Sequence, residues 1–258
     1  MELVVLGCWA PYPRAGGACS GYLLRAGGLN VLLDSGNGTL SRMMSFIDFR
    51  SLDAVIISHL HHDHYLDLFS LRHAVEGARR AGTLAGPLRL FIPPVPETDF
   101  ETLAGYKKAF ETTPIESLPA EKVAGGFTAR RLDLKRLVFR FVPARHALPG
   151  YSVSVEGDGK LVYSGDTVRT EELVALASGA GLFLCEASGL NSDAEYLKDN
   201  HLTAGQAGEL AREAGVRRLL LTHFWPEYDP AVLVGQAAAA FGGRVEAAVE
   251  GNMYRLDG

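Results

Sequence analysis

The sequence predicts an α/β fold: a four-layer αββα sandwich in which two mixed β-sheets are flanked by helices. Two observations predict it. Short apolar runs of strand length recur in both halves of the chain and alternate with stretches of helical spacing, so sheets must be covered by helices. No linker, repeat or low-complexity segment interrupts that alternation, so residues 1–258 read as a single domain. The 258 residues, 47% hydrophobic and 21% charged, suffice for one sizeable core.

In order along the chain, strand signals fall at 2–6, 21–25, 30–34 and 54–58, separated by Gly-rich turns. Leu68, Leu71, Val75 and Ala78 share one side of a helix over 66–81 that stops at Gly82; His73, within it, is a structural or surface residue. A strand at 88–92 runs into the stiff Pro93-Pro94-Val95-Pro96, and Phe100, Leu103 and Phe110 predict a helix from Asp99 to Phe110. Strands follow near 127–132, 137–142, 151–155 and 161–164. Then come helix 171–178, strand 181–185, helix 203–214, strand 217–222, helix 230–240 and strand 244–248. Thr203 and Gln206 form a capping box for the helix that begins there, with Ala207, Leu210, Ala211 and Ala214 as its apolar stripe and Gly215 as its stop. The helix-and-loop region 93–122 follows the first histidine-rich loop; it is expected to cover the site or pack on the sheet, and Tyr106, Lys107, Lys108 and Phe110 are its potential substrate contacts.

The densest chemistry is Ser58-His59-Leu60-His61-His62-Asp63-His64, directly after the apolar run Ala54–Ile57. The chain has 8 histidines, and half of them fall in this one loop. Neutral imidazole is the commonest metal ligand and carboxylates complete such sites. His59 and His61 project to the same side of extended backbone, whereas Asp63 and His64 diverge, so one short loop can feed two neighbouring metals. Three further strands end on a ligand-type residue: Arg140–Pro143 before His146, Leu161-Val162-Tyr163-Ser164-Gly165 before Asp166, and Leu219-Leu220-Leu221-Thr222 before His223. Asp34, ending Leu32-Leu33, suits either an imidazole-orienting role or a plain turn, with Gly36 and Gly38 allowing close backbone approach.

This order of H-x-H-x-D-H, a lone histidine, S-G-D-T and T-H-F resembles the metallo-β-lactamase-fold hydrolases over nearly the whole chain. The resemblance implies that His59, His61 and His146 hold a first metal, that Asp63, His64 and His223 hold a second, and that Asp166 bridges the two. In classical β-lactamases of this fold a cysteine commonly stands where Asp166 does, so the resemblance argues against antibiotic hydrolysis.

Phe183-Leu184-Cys185-Glu186-Ala187-Ser188 and Asn200-His201-Leu202-Thr203 resemble the ribonuclease Z branch. There the glutamate of E-A-[ST] orients the histidine of H-x-[ST], which implies that Glu186 orients His201 and that His201 protonates the leaving oxygen. The competing reading is that both only buttress the helix and strand. Members with a tRNA-binding arm carry it between the lone histidine and the S-G-D-T aspartate; here His146 and Asp166 are 20 residues apart, and the interval reads as a β-hairpin turning at Asp158-Gly159. The chain therefore resembles the arm-less phosphodiesterase relatives, as does the opening Gly17–Leu24. The implied activity is that of a metal-dependent hydrolase, a phosphodiesterase acting on a cyclic nucleotide, short RNA or similar small substrate. Hydroxide generated at a dinuclear site of Zn²⁺, or Mn²⁺, attacks phosphorus, with Asp63 or Asp166 accepting or orienting its proton. The alternatives are a thioester or lactone hydrolase of the same fold, a tRNA 3′-processing endonuclease lacking the arm, and a non-catalytic binding protein. A homodimer is implied by the family alone.

Composition limits the partners. A net charge of −5, with only short basic pairs such as Arg79-Arg80 and Arg130-Arg131, disfavours large RNA and favours a small phosphodiester. Cys8, Cys19 and Cys185 form no disulfide framework, which points to a reducing, cytoplasmic setting. The N-terminus reads as a strand and not a signal peptide, and no apolar run approaches the roughly 20 residues of a membrane span, so no membrane partner is expected.

Overall fold

A computed structural model of the chain describes residues 1–256. The first half contributes β1 (Glu2–Gly7), β2 (Gly21–Ala26), β3 (Leu29–Leu33), α1 (Thr39–Met43), β4 (Ala54–Ile56), α2 (His62–Tyr65), α3 (Leu68–Arg80), β5 (Leu88–Ile92), α4 (Glu97–Gly105) and β6 (Phe110–Pro114). The second half contributes β7 (Ala120–Lys122), β8 (Thr128–Leu134), β9 (Leu137–Ala144), β10 (Gly150–Gly157), β11 (Gly159–Tyr163), α5 (Glu171–Ala177), β12 (Leu182–Glu186), α6 (Ala194–Leu197), α7 (Ala204–Glu213), β13 (Arg218–Thr222), α8 (Pro230–Phe241), β14 (Arg244–Ala247) and β15 (Met253–Arg255).

Two mixed sheets result, as the sequence predicts. The first runs β15-β1-β2-β3-β4-β5-β6 and the second β14-β13-β12-β11-β10-β9-β8-β7. Each is antiparallel on one side and parallel on the other: β3 through β6 are parallel neighbours, as are β11 through β14. Period-two alternation sorts the first sheet's side chains. Leu3, Val5, Leu24, Val31 and Leu33 join the second sheet's Phe139, Phe141, Val153 and Leu161 in one core, while Val4, Leu6, Leu23 and Leu32 pack with Leu68, Leu71 and Val75 of α3 in another. The sheets touch directly: the rings of Tyr22 and Tyr163 meet edge-on at 5.1 Å, and the Tyr22 and Thr222 hydroxyls lie 2.7 Å apart. The outer helices α5, α7 and α8 connect successive parallel strands, and their Leu173, Leu210 and Leu233 are buried. The capping box of α7 forms as expected, Thr203 and Gln206 each accepting the other's backbone N–H. The hairpin β10–β11 also forms, closing on Gly157 and Gly159 around Asp158.

One helix differs from expectation. Helical spacing predicts Asp99–Phe110, but α4 ends at Gly105, and Phe110 opens the edge strand β6, paired with Leu88 of β5. The apolar spacing of Phe100, Leu103 and Phe110 spans two elements that pack together, and Glu111-Thr112-Thr113-Pro114 carries no alternation strong enough to reveal a strand. Among the described residues no helix is long and apolar enough to cross a membrane. The three cysteines are free and buried.

Candidate metal and catalytic site

The site lies where parallel strands of both sheets end, the usual place for a ligand in open α/β sheets. The chain leaves β4 through Ser58 to His61, and α2 starts at His62, so Asp63 and His64 stand in its single turn. His146 follows β9, Asp166 follows β11, Glu186 is the last residue of β12, and His223 follows β13. Two of these strand ends need unusual backbone: Asp34 after β3 has φ +56° and His223 has φ +61°, the left-handed region that L residues rarely adopt. Gly36 has the expected close approach, since a Cβ there would lie 2.0 Å from the carbonyl oxygen of Asp63; Gly38 has φ +92°.

All seven metal-ligand positions expected from sequence converge. His59, His61, His146 and Asp166 each offer one atom within a common 4.8 Å, as do Asp63, His64 and His223. His61 Nδ1 lies 3.0 Å from both His59 Nε2 and His146 Nε2. In the other group His64 Nε2 is 3.3 Å from His223 Nε2, and each is 3.6 Å from Asp63 Oδ2. Asp166 Oδ2 reaches both groups, 3.5 Å from His59 Nε2, 4.0 Å from His146 Nε2, 3.4 Å from His64 Nε2 and 3.0 Å from His223 Nε2. Donor separations near 3.4 Å are the edges of a tetrahedron with metal bonds of about 2.1 Å. Asp166 Oδ1 is buried with no hydrogen-bond partner, a costly state that a cation relieves. This donor set fits divalent ions.

Surrounding groups fix the imidazoles. Asp34 Oδ2 accepts from His64 Nδ1 (2.7 Å), the Ser58 hydroxyl (2.8 Å) and the Tyr163 hydroxyl (2.7 Å), which leaves His64 Nε2 facing the cluster. Asp34 is thus an orienting residue and not a plain turn. The His146 ring is fixed by the Asn200 carbonyl, 2.8 Å from Nδ1. His223 Nδ1 donates to Ser188 Oγ at 2.8 Å, and that hydroxyl donates to Glu186 Oε2 at 2.6 Å.

Charge divides the cluster. Burial, reinforced by neighbouring imidazoles, pushes His59 well below its ordinary value, and burial also lowers His61 and His146. His64 and His223 are as buried as His59, but Asp166 and Asp63 overcome that burial; His64 is held well above its ordinary value and His223 is pushed up to about 10. Burial opposes ionisation of Asp166 too, yet His223, His64 and His59 hold it well below the usual carboxylate range.

Glu186 and His201 meet as expected. His201 Nδ1 lies 3.1 Å from Glu186 Oε1, and Nε2 is its remaining ring nitrogen. Glu186 is buried and also accepts from the Thr167 and Leu202 amides at 2.7 and 3.1 Å. Burial disfavours the His201 cation, but the Glu186 carboxylate outweighs it and raises the pKa.

A cavity of about 680 Å³ opens onto Asp63, Asp166, His201 and His223. Its wall is formed by Ser188, Gly189, Asp193, Tyr196 and Leu197 and by Trp225 and Tyr228, with Ala10 and Pro11, and no residue of 93–122 lines it. The expected cover is therefore elsewhere: β6 and β7 extend the edges of the two sheets, Phe110 is buried, and Tyr106 packs against Phe69 and Arg72. Sequence reasoning assigned no role to Ser188, although it sits in the quoted E-A-S. It also missed Tyr196, Trp225 and Tyr228, which follow no periodic pattern; only the adjacency of Trp225 to His223 could have signalled one of them.

The comparisons with known proteins agree with this geometry. A family model described as "Beta-lactamase superfamily domain" matches residues 29–224. "Probable metallo-hydrolase YhfI" of Bacillus subtilis (strain 168) is 29% identical over 98% of this chain and 99% of that protein. "Ribonuclease Z" of Thermobifida fusca (strain YX) is 32% identical over 95% of this chain and 91% of that protein. The crystal structure of the metallo-β-lactamase fold protein YhfI from Bacillus subtilis superposes with a TM-score of 0.88 at 26% identity, covering 98% of both chains.

Proposed function

The chain belongs to the β-lactamase superfamily, as a metallo-hydrolase of that fold, and on that premise we propose that it hydrolyses small phosphodiesters. The observation that carries this reading is His201, held by the buried Glu186, on the wall of the same cavity as Asp63 and Asp166. An ester of phosphate breaks by expelling an alkoxide, and a raised imidazole acid beside the reacting centre serves that departure.

His59, His61 and His146 would hold one divalent ion, Asp63, His64 and His223 a second, and Asp166 faces both. Imidazole-rich sites of this kind suit Zn²⁺, with Mn²⁺ as the alternative. Ions held there supply Lewis acidity, which acidifies the attacking water and offsets charge on the phosphoryl oxygens. Asp63 lines the cavity and accepts the proton that the water loses. As the P–O bond breaks, His201 gives its Nε2 proton to the departing oxygen, and Glu186 holds the ring and balances its charge. A buried carboxylate fixed by backbone amides holds that geometry without further ordering. The arm-less β10–β11 hairpin and the net charge of −5 favour a small diester over a folded RNA.

Metal-quantified protein assayed on bis(p-nitrophenyl) phosphate with Zn²⁺ or Mn²⁺, beside a thioester and a lactam, tests the proposal. Turnover of the diester alone is expected. Turnover of the thioester or lactam alone would remove His201 and Glu186 from the reaction and leave only the seven ligands.

A further inference from the structure

Between the metal-ligand position His223 and helix α8 the chain crosses the cavity wall, and that crossing is fixed at both ends. Phe224 is fully buried; it donates to the Cys8 carbonyl at 2.8 Å and accepts from the Ala10 amide at 3.0 Å. Asp229 caps α8, accepting from the Ala231 amide at 2.9 Å. Residues 225–228 lie between these fixed points and form one turn, in which the Trp225 carbonyl accepts from the Tyr228 amide at 3.0 Å. Trp225 and Tyr228 line the cavity, yet Trp225 is 37% exposed, so packing in the core does not fix its ring.

A second loop holds that turn. The Arg14 guanidinium donates from Nε to the Pro226 carbonyl at 2.6 Å and from Nη2 to the Tyr228 carbonyl at 2.7 Å, while its face lies 4.2 Å from the Trp9 ring centre. Tyr12 donates its hydroxyl to Glu227 at 3.0 Å and meets the Trp225 ring edge-on at 5.8 Å. Every residue of 225–228 is thus held from a segment 212 to 215 residues away. That segment is itself anchored, the Ala18 amide donating to Glu250 at 2.6 Å and Arg42 to the Gly16 carbonyl at 2.6 Å. Arg14 stands outside the cavity lining, so it acts on a substrate only through this turn.

Resting on the phosphodiesterase reading, we propose that Arg14 and Tyr12 are positioning residues that lock the 225–228 wall and so set how tightly the cavity holds its substrate. A wall fixed beforehand loses no freedom when a substrate packs on it. The lock lies beyond Phe224, which keeps His223 in place independently, so affinity depends on the lock and the chemical step does not.

Metal-quantified Arg14→Ala protein, assayed on bis(p-nitrophenyl) phosphate, should show KM raised on the order of ten-fold, with kcat and metal content as in the unaltered chain. Tyr12→Phe, which removes one hydroxyl, should move KM the same way by less. A second readout is independent of turnover. Trp9 and Trp225 are the two tryptophans of the chain, so in Trp9→Phe protein all tryptophan emission comes from Trp225, whose ring packs on Tyr12. Adding Arg14→Ala to that background should raise acrylamide quenching of the emission. Unchanged quenching overturns the lock. An unchanged KM, or a kcat that falls together with metal content, overturns the positioning role. Raised quenching in a protein that turns over no diester would sustain the lock and refute the phosphodiesterase reading instead.

Discussion

The two halves of the His/Asp cluster share a carboxylate but carry opposite charge habits. His59, His61 and His146 face one another; Asp166 acts on all three, Asp63 also on His61 and Glu186 on His146, yet burial still lowers each of them. His64 and His223 stand among Asp63, Asp166 and, for His64, Asp34, and are driven toward the cation. The first half is ready for a metal as it folds. The second half, in the metal-free protein, is an internal ion-pair network that a metal must displace. Burial alone does not set a histidine's state; direct contact with carboxylates does, as where His223 Nε2 lies 3.0 Å from Asp166 and 3.6 Å from Asp63.

The largest test removes what the halves share. If the proposed two-metal site forms, Asp166→Ala should lower bound metal from two equivalents per chain to at most one, with loss of hydrolysis, as read by elemental analysis of purified protein. Two tightly held ions in that variant would refute the shared position. Next in size is His201, which belongs to neither half. His201→Ala should slow esters with poor leaving groups by about 10²- to 10⁴-fold while sparing p-nitrophenolate esters, which scarcely need a proton. In the proposed mechanism the acid form of His201 is the active one, and the Glu186 carboxylate raises its pKa above the ordinary 6.5. So kcat for poor leaving groups should hold through pH 6.5 and fall as pH rises past the shifted value, a limb absent from the His201→Ala profile. Equal losses for good and poor leaving groups would take His201 out of that role.

Smaller variants should separate the halves. Ser188→Ala leaves His223 Nδ1 without its acceptor, and metal affinity at the second half should fall roughly 10- to 100-fold, with Ser188→Thr restoring it. Gly150→Ala acts on the first half, because a Cβ there would lie 2.7 Å from the Cβ of His59. Thermal unfolding should show a loss of about 1–3 kcal/mol, and metal titration should show weakening confined to the first ion. The gentlest probe is calorimetry in buffers of different ionisation enthalpy. Filling the second half should release protons and tighten as pH rises, since its imidazoles must become neutral to bind, whereas filling the first half should release almost none. Matching proton release from both would erase the distinction.

Much of this was legible beforehand for a simple reason. Long strands with alternating or continuous apolar runs announce themselves, and each ligand stands directly where such a run stops, so His59, His146, Asp166 and His223 could be found by reading strand ends. The capping box did the same for α7. What stayed hidden depends on neighbours remote in sequence. The strand β6 is an edge whose pattern is too polar to stand out, and α6 is one turn long. Asp34 gained its role through His64 and Tyr163, 30 and 129 residues away. Of the two roles open to 93–122, packing on the sheet holds, because sequence proximity to the first ligand loop says nothing about which sheet edge the chain then joins. The different protonation of the two halves was likewise invisible, because it depends on which carboxylates the fold brings beside each ring.

The left-handed backbone of Asp34 and His223 has a cost for the rest of the molecule. Each such non-glycine residue sacrifices about 1–3 kcal/mol, a sizeable share of the margin by which a domain stays folded. A glycine would relieve the strain at either position and supply no side chain to the cluster. Asp34 cannot be released in this way, because its carboxylate is the acceptor for buried donors of Ser58, His64 and Tyr163, so stabilised variants selected without regard to activity should accumulate glycine at His223 alone, where resistance to heat and hydrolytic competence are set against each other.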